Sequence, residues 1–270
     1  MLVPTYIIVK GYITMILAID VGNSNIVLGC IRDGEILFEA RMSTDRIKTS
    51  DQYCAELKAM LGLFDVVPGD IEGTILSSVV PPVQQVLERA VNRLTGKPCL
   101  TVGPGLKTGL NIKIDNPAQA GSDLIVGAVA AIEAYGAPLC VIDLGTATTI
   151  SVIDKDGVFR GGTIAPGVML SLNALSSGTA QLPAISLEKP RRAIGTNTVD
   201  SMRSGLLLGS AAMLDGMVER IEAELGYPTK VVATGGLAKF IVPLCKREMV
   251  IDENLLLRGL DILYRKNTKD

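Results

Sequence analysis

Apolar and polar positions along the chain fall into short strand-like runs and longer amphipathic stretches, and two of the runs read almost as copies. Residues 16–36 are ILAIDVGNSNIVLGCIRDGEI, and residues 140–159 are CVIDLGTATTISVIDKDGVF. Asp20 and Asp143, Gly22 and Gly145, Asp33 and Asp156, and Gly34 and Gly157 are each 123 positions apart. In both copies an apolar strand ends in Asp-x-Gly, followed by small hydroxyl or amide residues. A second apolar strand then leads to an Asp-Gly pair, the strongest short-range hairpin signal.

The same reading predicts strands at 16–19, 26–31, 36–41, 74–79, 99–102, 139–143, 149–153, 158–164, 230–233 and 248–251. Helical stretches are expected at 50–63, 82–95, 122–135, 167–177, 198–225, 237–244 and 255–265. Each half therefore opens with a meander and continues with alternating helices and strands, as layered α/β folds require. Residues 15–136 and 137–270 are expected to form two related lobes, with the boundary in the turn near Gly136. Residues 1–14 precede Met15 and read as a dispensable extension, lacking the form of a signal peptide.

The repeated turn has its own chemistry. Gly22 and Gly145 allow close backbone approach. Asn23, Ser24, Asn25, Thr146, Thr148 and Thr149 add small polar groups, and free backbone N–H groups form an anion-binding nest. Asp20 and Asp143, at strand ends, can hold a cation directly or through water. Two turns in matched register suggest two lobes offering phosphate-binding bends to a shared ligand.

Composition narrows the reaction classes. The 270 residues are 48% hydrophobic, carry a net charge of −2 and include no histidine. Histidine-activated nucleophiles, histidine-ligated zinc and histidine general bases are thereby excluded, leaving carboxylate, Lys, Tyr or Cys for proton transfer. No basic run points to nucleic acid or to an anionic membrane. Five scattered cysteines without CxxC spacing suit reduced thiols in the cytoplasm.

Other turns have two readings each. Gly121-Ser122-Asp123 opens a helix, and either polar residue could cap it, or Asp123 could face a cleft as a general base. Gly161–Gly167 joins strand to helix as an anion-binding turn or a tight connection. Thr234-Gly235-Gly236 lies at the carboxyl end of a strand, where α/β sheets place nucleotides. Lys189–Arg192 is read as a solvated loop, with attraction of phosphate as the second reading. Val102-Gly103-Pro104-Gly105 lacks the third glycine and the following helix of a dinucleotide fingerprint.

The two Asp-x-Gly turns and the late Thr-Gly-Gly resemble the acetate and sugar kinase / Hsp70 / actin superfamily. Within it the chain resembles type III pantothenate kinases, through DVGNSN at 20–25, VGPGLKTGL at 102–110, DNP at 115–117, GSD at 121–123, DLGTATT at 143–149, GGTIAPG at 161–167, IGTNT at 194–198 and TGG at 234–236. The resemblance implies two ribonuclease H-like lobes of the actin-like ATPase type, each a mixed sheet flanked by helices. It implies ATP-dependent phosphorylation of pantothenate to 4'-phosphopantothenate in coenzyme A synthesis, in a cytoplasmic homodimer. By position, Asp20, Val21, Gly22, Asn23, Ser24, Asn25, Ile26 and Val27 would form the first ATP loop, with Thr146, Gly235 and Gly236 also toward ATP. Asp123 would be the catalytic base, and Gly121, Ser122, Asp123 and Thr198 would contact pantothenate. Asp143 would bind a monovalent cation (potassium or ammonium) and Asp20 magnesium, possibly through water. Leu124 stands where such kinases usually carry arginine, and Ile114 where tyrosine is common, so a kinase for another small hydroxyl compound is an alternative. A non-catalytic nucleotide-binding regulator is a second.

Overall fold

The computed structural model describes residues 15–268; the expected extension at 1–14 lies outside them. Two mixed sheets organise the chain. The first has the order β3-β2-β1-β4-β5, formed by β1 (Met15–Val21), β2 (Asn25–Arg32), β3 (Glu35–Ser43), β4 (Gly73–Ser78) and β5 (Cys99–Thr101). The second has the order β11-β10-β7-β8-β9-β6, from β6 (Asn111–Ile112), β7 (Leu139–Leu144), β8 (Ala147–Ile153), β9 (Val158–Pro166), β10 (Lys230–Thr234) and β11 (Val250–Ile251). In each sheet an antiparallel three-stranded meander continues into a parallel partner of its first strand, β4 beside β1 and β10 beside β7. The ten expected strands are all present; the two-residue β6 is too short to leave a periodic signal.

Helices α1 (Ser50–Leu63) and α2 (Pro81–Thr95) cover one face of the first sheet, burying Leu57, Leu61, Leu87 and Val91 against Leu17, Ile19 and Leu28. As expected, α1 starts at Ser50, capped by Thr49 through a capping box with Gln52. On the second sheet, α4 (Val168–Gly178), α6 (Gly209–Leu225) and α7 (Ala238–Ile241) pack on Ile142, Ile150 and Val231. The long helix expected at 198–225 is continuous but broken in character. A π segment at Ser204–Leu208 separates α5 (Thr198–Arg203) from α6; Gly205 lies within this widened turn and Gly209 follows it, a feature common at functional sites.

Between the sheets lie α3 (Ser122–Tyr135) and α8 (Leu255–Thr268). Val126 and Val129 of α3 pack with Ile16 and Ala18 of the first sheet, whereas Ala128, Ala130 and Ala131 pack with Leu139 and Val141 of the second. A small-residue helix serves both sides because it brings both sheets close to its axis. Gly259 of α8 makes that crossing possible: a Cβ there would stand 2.4 Å from the Val126 carbonyl oxygen. The start of α3 is thus wedged where the two sheets meet.

Candidate active site at the junction of the two sheets

The two Asp-x-Gly turns meet. Ser24 Oγ and Thr146 Oγ1 lie 2.8 Å apart, one hydrogen bond joining the β1–β2 turn to the β7–β8 turn. In the first turn the Gly22 amide donates to the Asn25 carbonyl at 2.9 Å, and Thr44 braces it by donating its hydroxyl to the Gly22 carbonyl at 2.7 Å. Arg46 donates to the Asn23 side-chain oxygen at 3.1 Å. In the second turn the Gly145 amide donates to the Ala147 carbonyl at 3.1 Å, and the Gly167 amide donates to the Thr146 carbonyl at 3.1 Å. A Cβ at Gly167 would stand 2.4 Å from that carbonyl oxygen, so the Gly161–Gly167 connection ends pressed against the second turn.

The copies are not identical in register. Val21 pairs with Ile26 around the first turn and Leu144 with Thr148 around the second, which makes the second bend one residue tighter. The Asp-Gly hairpins differ too. Asp33 and Gly34 both have positive φ, 52° and 86°, as a two-residue primed turn requires. The expected second hairpin of that kind is instead a longer loop, in which Asp154 Oδ1 accepts from the amides of Asp156 and Val158, both at 3.0 Å.

Three carboxylates converge behind the turns. Asp20 ends β1 in register with Ser77 of β4, and Asp143 ends β7 in register with Thr234 of β10. Asp123 stands in the first turn of α3. Burial, the neighbouring Asp123 and, more weakly, Asp143 push Asp20 up to about 7, although a Ser77 hydrogen bond opposes them. Burial and then Asp123 raise Asp143 to about 6. Asp123 is raised chiefly by burial, against an N–H bond from Leu124 at 2.8 Å. Unpaired negative charge out of water is costly, and no lysine or arginine salt bridge to any of the three is present among the described residues.

Neither Ser122 nor Asp123 caps α3: Gly121 is the capping residue and makes no side-chain bond. Ser122 instead ties the helix to β4. Its hydroxyl donates to the Ser78 carbonyl at 3.0 Å, accepts from the Ser78 amide at 3.2 Å and meets Ser77 Oγ at 3.0 Å. Ser77 also hydrogen-bonds Asp20, so the cluster joins the start of α3 to the end of β1, an arrangement with no local sign in the sequence. A small cavity beside them is lined by Asp123, Leu124, Asp143, Thr149, Ser151 and Thr234. Buried Thr149 Oγ1 has no hydrogen-bond partner among the described residues. An orphaned hydroxyl beside uncompensated carboxylates offers oxygen donors of the kind hard cations prefer, although no three acidic side chains among the described residues are grouped to hold one ion together.

The other expected residues sit as follows. Val21, Ile26 and Val27 belong to the strands flanking the first turn, with Val21 and Ile26 buried in the core. Gly235, at φ 91°, closes β10 so near Asp143 that a Cβ would meet Oδ1 at 2.4 Å, and Gly236 follows it. Thr198 is not in the carboxylate cavity; it lines an open cavity of about 720 Å3 with Leu175, Asn197, Ser201 and Leu206. Leu124 and Ile114 share one apolar cluster, so neither offers charge to a ligand. Lys189, Arg191 and Arg192 are exposed.

Comparisons with known proteins point the same way. Residues 16–220 match the family described as type III pantothenate kinase. A type III pantothenate kinase of Halalkalibacterium halodurans is 46% identical over 94% of this chain and 100% of its own length. One from Brevibacillus brevis is 45% identical over 94% of this chain and 99% of its own. Among solved structures, the component A of (R)-2-hydroxyglutaryl-CoA dehydratase from Acidaminococcus fermentans superposes with a TM-score of 0.57 at 16% identity, covering 95% of this chain and 100% of that one. At that identity the likeness speaks for the fold alone, that of the actin-like ATPases and sugar kinases.

Proposed function

The chain belongs to the type III pantothenate kinase family and phosphorylates pantothenate with ATP and a divalent metal in coenzyme A biosynthesis; from that premise we propose how its residues divide the work. The observation that carries the proposal is the contact of the two turns at Ser24 and Thr146, with Asp20, Asp123 and Asp143 gathered behind it.

The polyphosphate lies against the two turns, held by the backbone N–H groups of Asn23, Ser24 and Thr146 and by the Ser24 and Thr146 hydroxyls, while the Gly22 and Gly145 amides close the bends themselves. The halves 15–136 and 137–270 act as the two jaws, and Gly235-Gly236 closes against the nucleotide from β10. Magnesium supplies charge neutralisation on the phosphates, and Asp20 holds it, directly or through water. Asp143, with Thr149 beside it, holds a potassium or ammonium ion; the buried, unpartnered hydroxyl supports that reading.

Asp123 accepts the proton of the pantothenate hydroxyl. Its burial keeps the carboxylate more basic than an exposed aspartate, which suits a base working near neutral pH. Gly121 and Ser122 set its position, and phosphoryl transfer otherwise asks mainly for alignment and charge stabilisation. Thr198 reaches pantothenate from the second cavity, as part of a homodimer whose partner brings that region to the first site. Exposed Ile164 at the end of β9 and Met169 and Leu170 at the start of α4 support such an interface. No helix among the described residues is long and apolar enough to cross a membrane, and free thiols support a cytoplasmic setting.

The test is a coupled assay of ADP release with pantothenate, with and without potassium. Potassium-dependent turnover is expected. Turnover indifferent to the monovalent cation removes the Asp143 assignment, and absence of pantothenate-dependent ADP release overturns the acceptor.

A further inference from the structure

Arg41 takes no part in the scheme above, yet its placement is specific. It lies on β3 in register with Val27 of β2, which is in register with Asp20 of β1. Directly paired residues present their side chains on the same face of a sheet. Arg41 therefore shares the face of Asp20 two strands away, a separation on the order of 10 Å.

Its guanidinium crosses toward the other half of the chain. A Cβ built on Gly236 would stand 3.1 Å from Arg41 Nη1, so the group rests against the turn that follows β10. That turn is the one whose first glycine is pressed on Asp143. Glu39, two residues back on β3, holds Nε at 3.0 Å and Nη2 at 2.8 Å. Nη1 has no hydrogen-bond partner among the described residues, and the side chain is 47% exposed. Glu39 thus orients the fork and leaves one edge directed at the space between the first sheet and Gly235-Gly236. An exposed ion pair of this kind contributes at most about 1 kcal/mol to stability, so the Glu39 contact orients Arg41 more than it stabilises the fold.

We propose that Arg41 is a nucleotide-binding residue that clasps the polyphosphate of ATP from β3 against the Gly235-Gly236 turn. The inference rests on the ATP-dependent reading of the site and adds to it a cation supplied by the chain itself. Guanidinium forks suit phosphate oxygens in geometry as well as charge, and a cation beside Gly236 adds positive charge to a site whose three buried carboxylates carry none of their own.

The experiment is steady-state kinetics of Arg41→Gln and Glu39→Gln beside wild type. Arg41→Gln is expected to raise KM for ATP about 10- to 100-fold, the range of a lost charge-assisted bond, with KM for pantothenate within twofold of wild type and an unchanged melting temperature. Glu39→Gln frees the guanidinium and is expected to leave KM for ATP equal or lower. KM for ATP within twofold of wild type in Arg41→Gln overturns the proposal. So does a parallel rise in both KM values, or a Glu39→Gln effect as large as that of Arg41→Gln, because either marks a merely structural role. Failure of wild type to bind ATP would instead sink the nucleotide reading beneath it.

Discussion

Asp20→Asn should make the unliganded protein more stable while destroying its activity. Asp20 is 8% exposed, and its carboxyl rises from 3.8 to about 7. The folded chain holds this proton more tightly than the unfolded chain does. Its contribution to stability is therefore complete below 3.8 and is lost as pH climbs through 7. At 1.36 kcal/mol per pH unit, the rise from 3.8 to about 7 corresponds to a cost of about 4 kcal/mol in alkaline solution. Asparagine keeps the shape and the Ser77 contact without the charge. Water and ions entering the cleft screen part of the repulsion, so the expected gain at pH 8.5 is about 1–3 kcal/mol, or roughly 3–10 °C in Tm for a chain of this size. At pH 5 the same arithmetic leaves less than half of the advantage. Thermal melts of both proteins without magnesium or nucleotide, at pH 5 and 8.5, measure it directly. A variant no more stable than wild type at pH 8.5, or a gain independent of pH, refutes the claim that Asp20 is a destabilising buried charge retained for binding.

Further expectations concern the rest of the site. Asp123→Asn should lower kcat by about 10²–10⁴-fold with ATP binding little changed in a titration; near-normal turnover removes the base assignment. Gly235→Ala forces a side chain at φ 91° to within 2.4 Å of the Asp143 carboxylate. It should cost about 1–3 kcal/mol in a urea melt and weaken ATP binding, and a neutral result would mean the turn relaxes freely. Asp143→Asn should abolish the response of turnover to potassium, measured as activity across a potassium series; an unaltered response places the cation elsewhere.

Much of this architecture was readable because the signals were local. Strand alternation, the Asp-Gly pair at 33–34 and the apolar period of α3 each act within a few residues. Duplication of the Asp-x-Gly turn gave a long-range expectation, that the bends share a ligand, and the 2.8 Å contact between Ser24 and Thr146 places them together. What escaped depended on partners distant in sequence. Ser122 resembles a helix cap in sequence, but β4 lies close enough to claim its hydroxyl. The π segment after α5 has only Gly205 and Gly209 as a local sign. Arg41 looks like any strand-borne surface arginine until β2 and β3 set its register and Gly236 comes beside it. Thr198, grouped with the substrate residues by resemblance, lines a cavity apart from Asp123 within one chain.

The most direct test is a crystal structure with magnesium, a non-hydrolysable ATP analogue and pantothenate. The account expects the phosphates between residues 22–25 and 145–147, and Asp123 within hydrogen-bonding reach of the pantothenate primary hydroxyl. Phosphates bound to one bend alone, or an acceptor hydroxyl remote from Asp123, would contradict it.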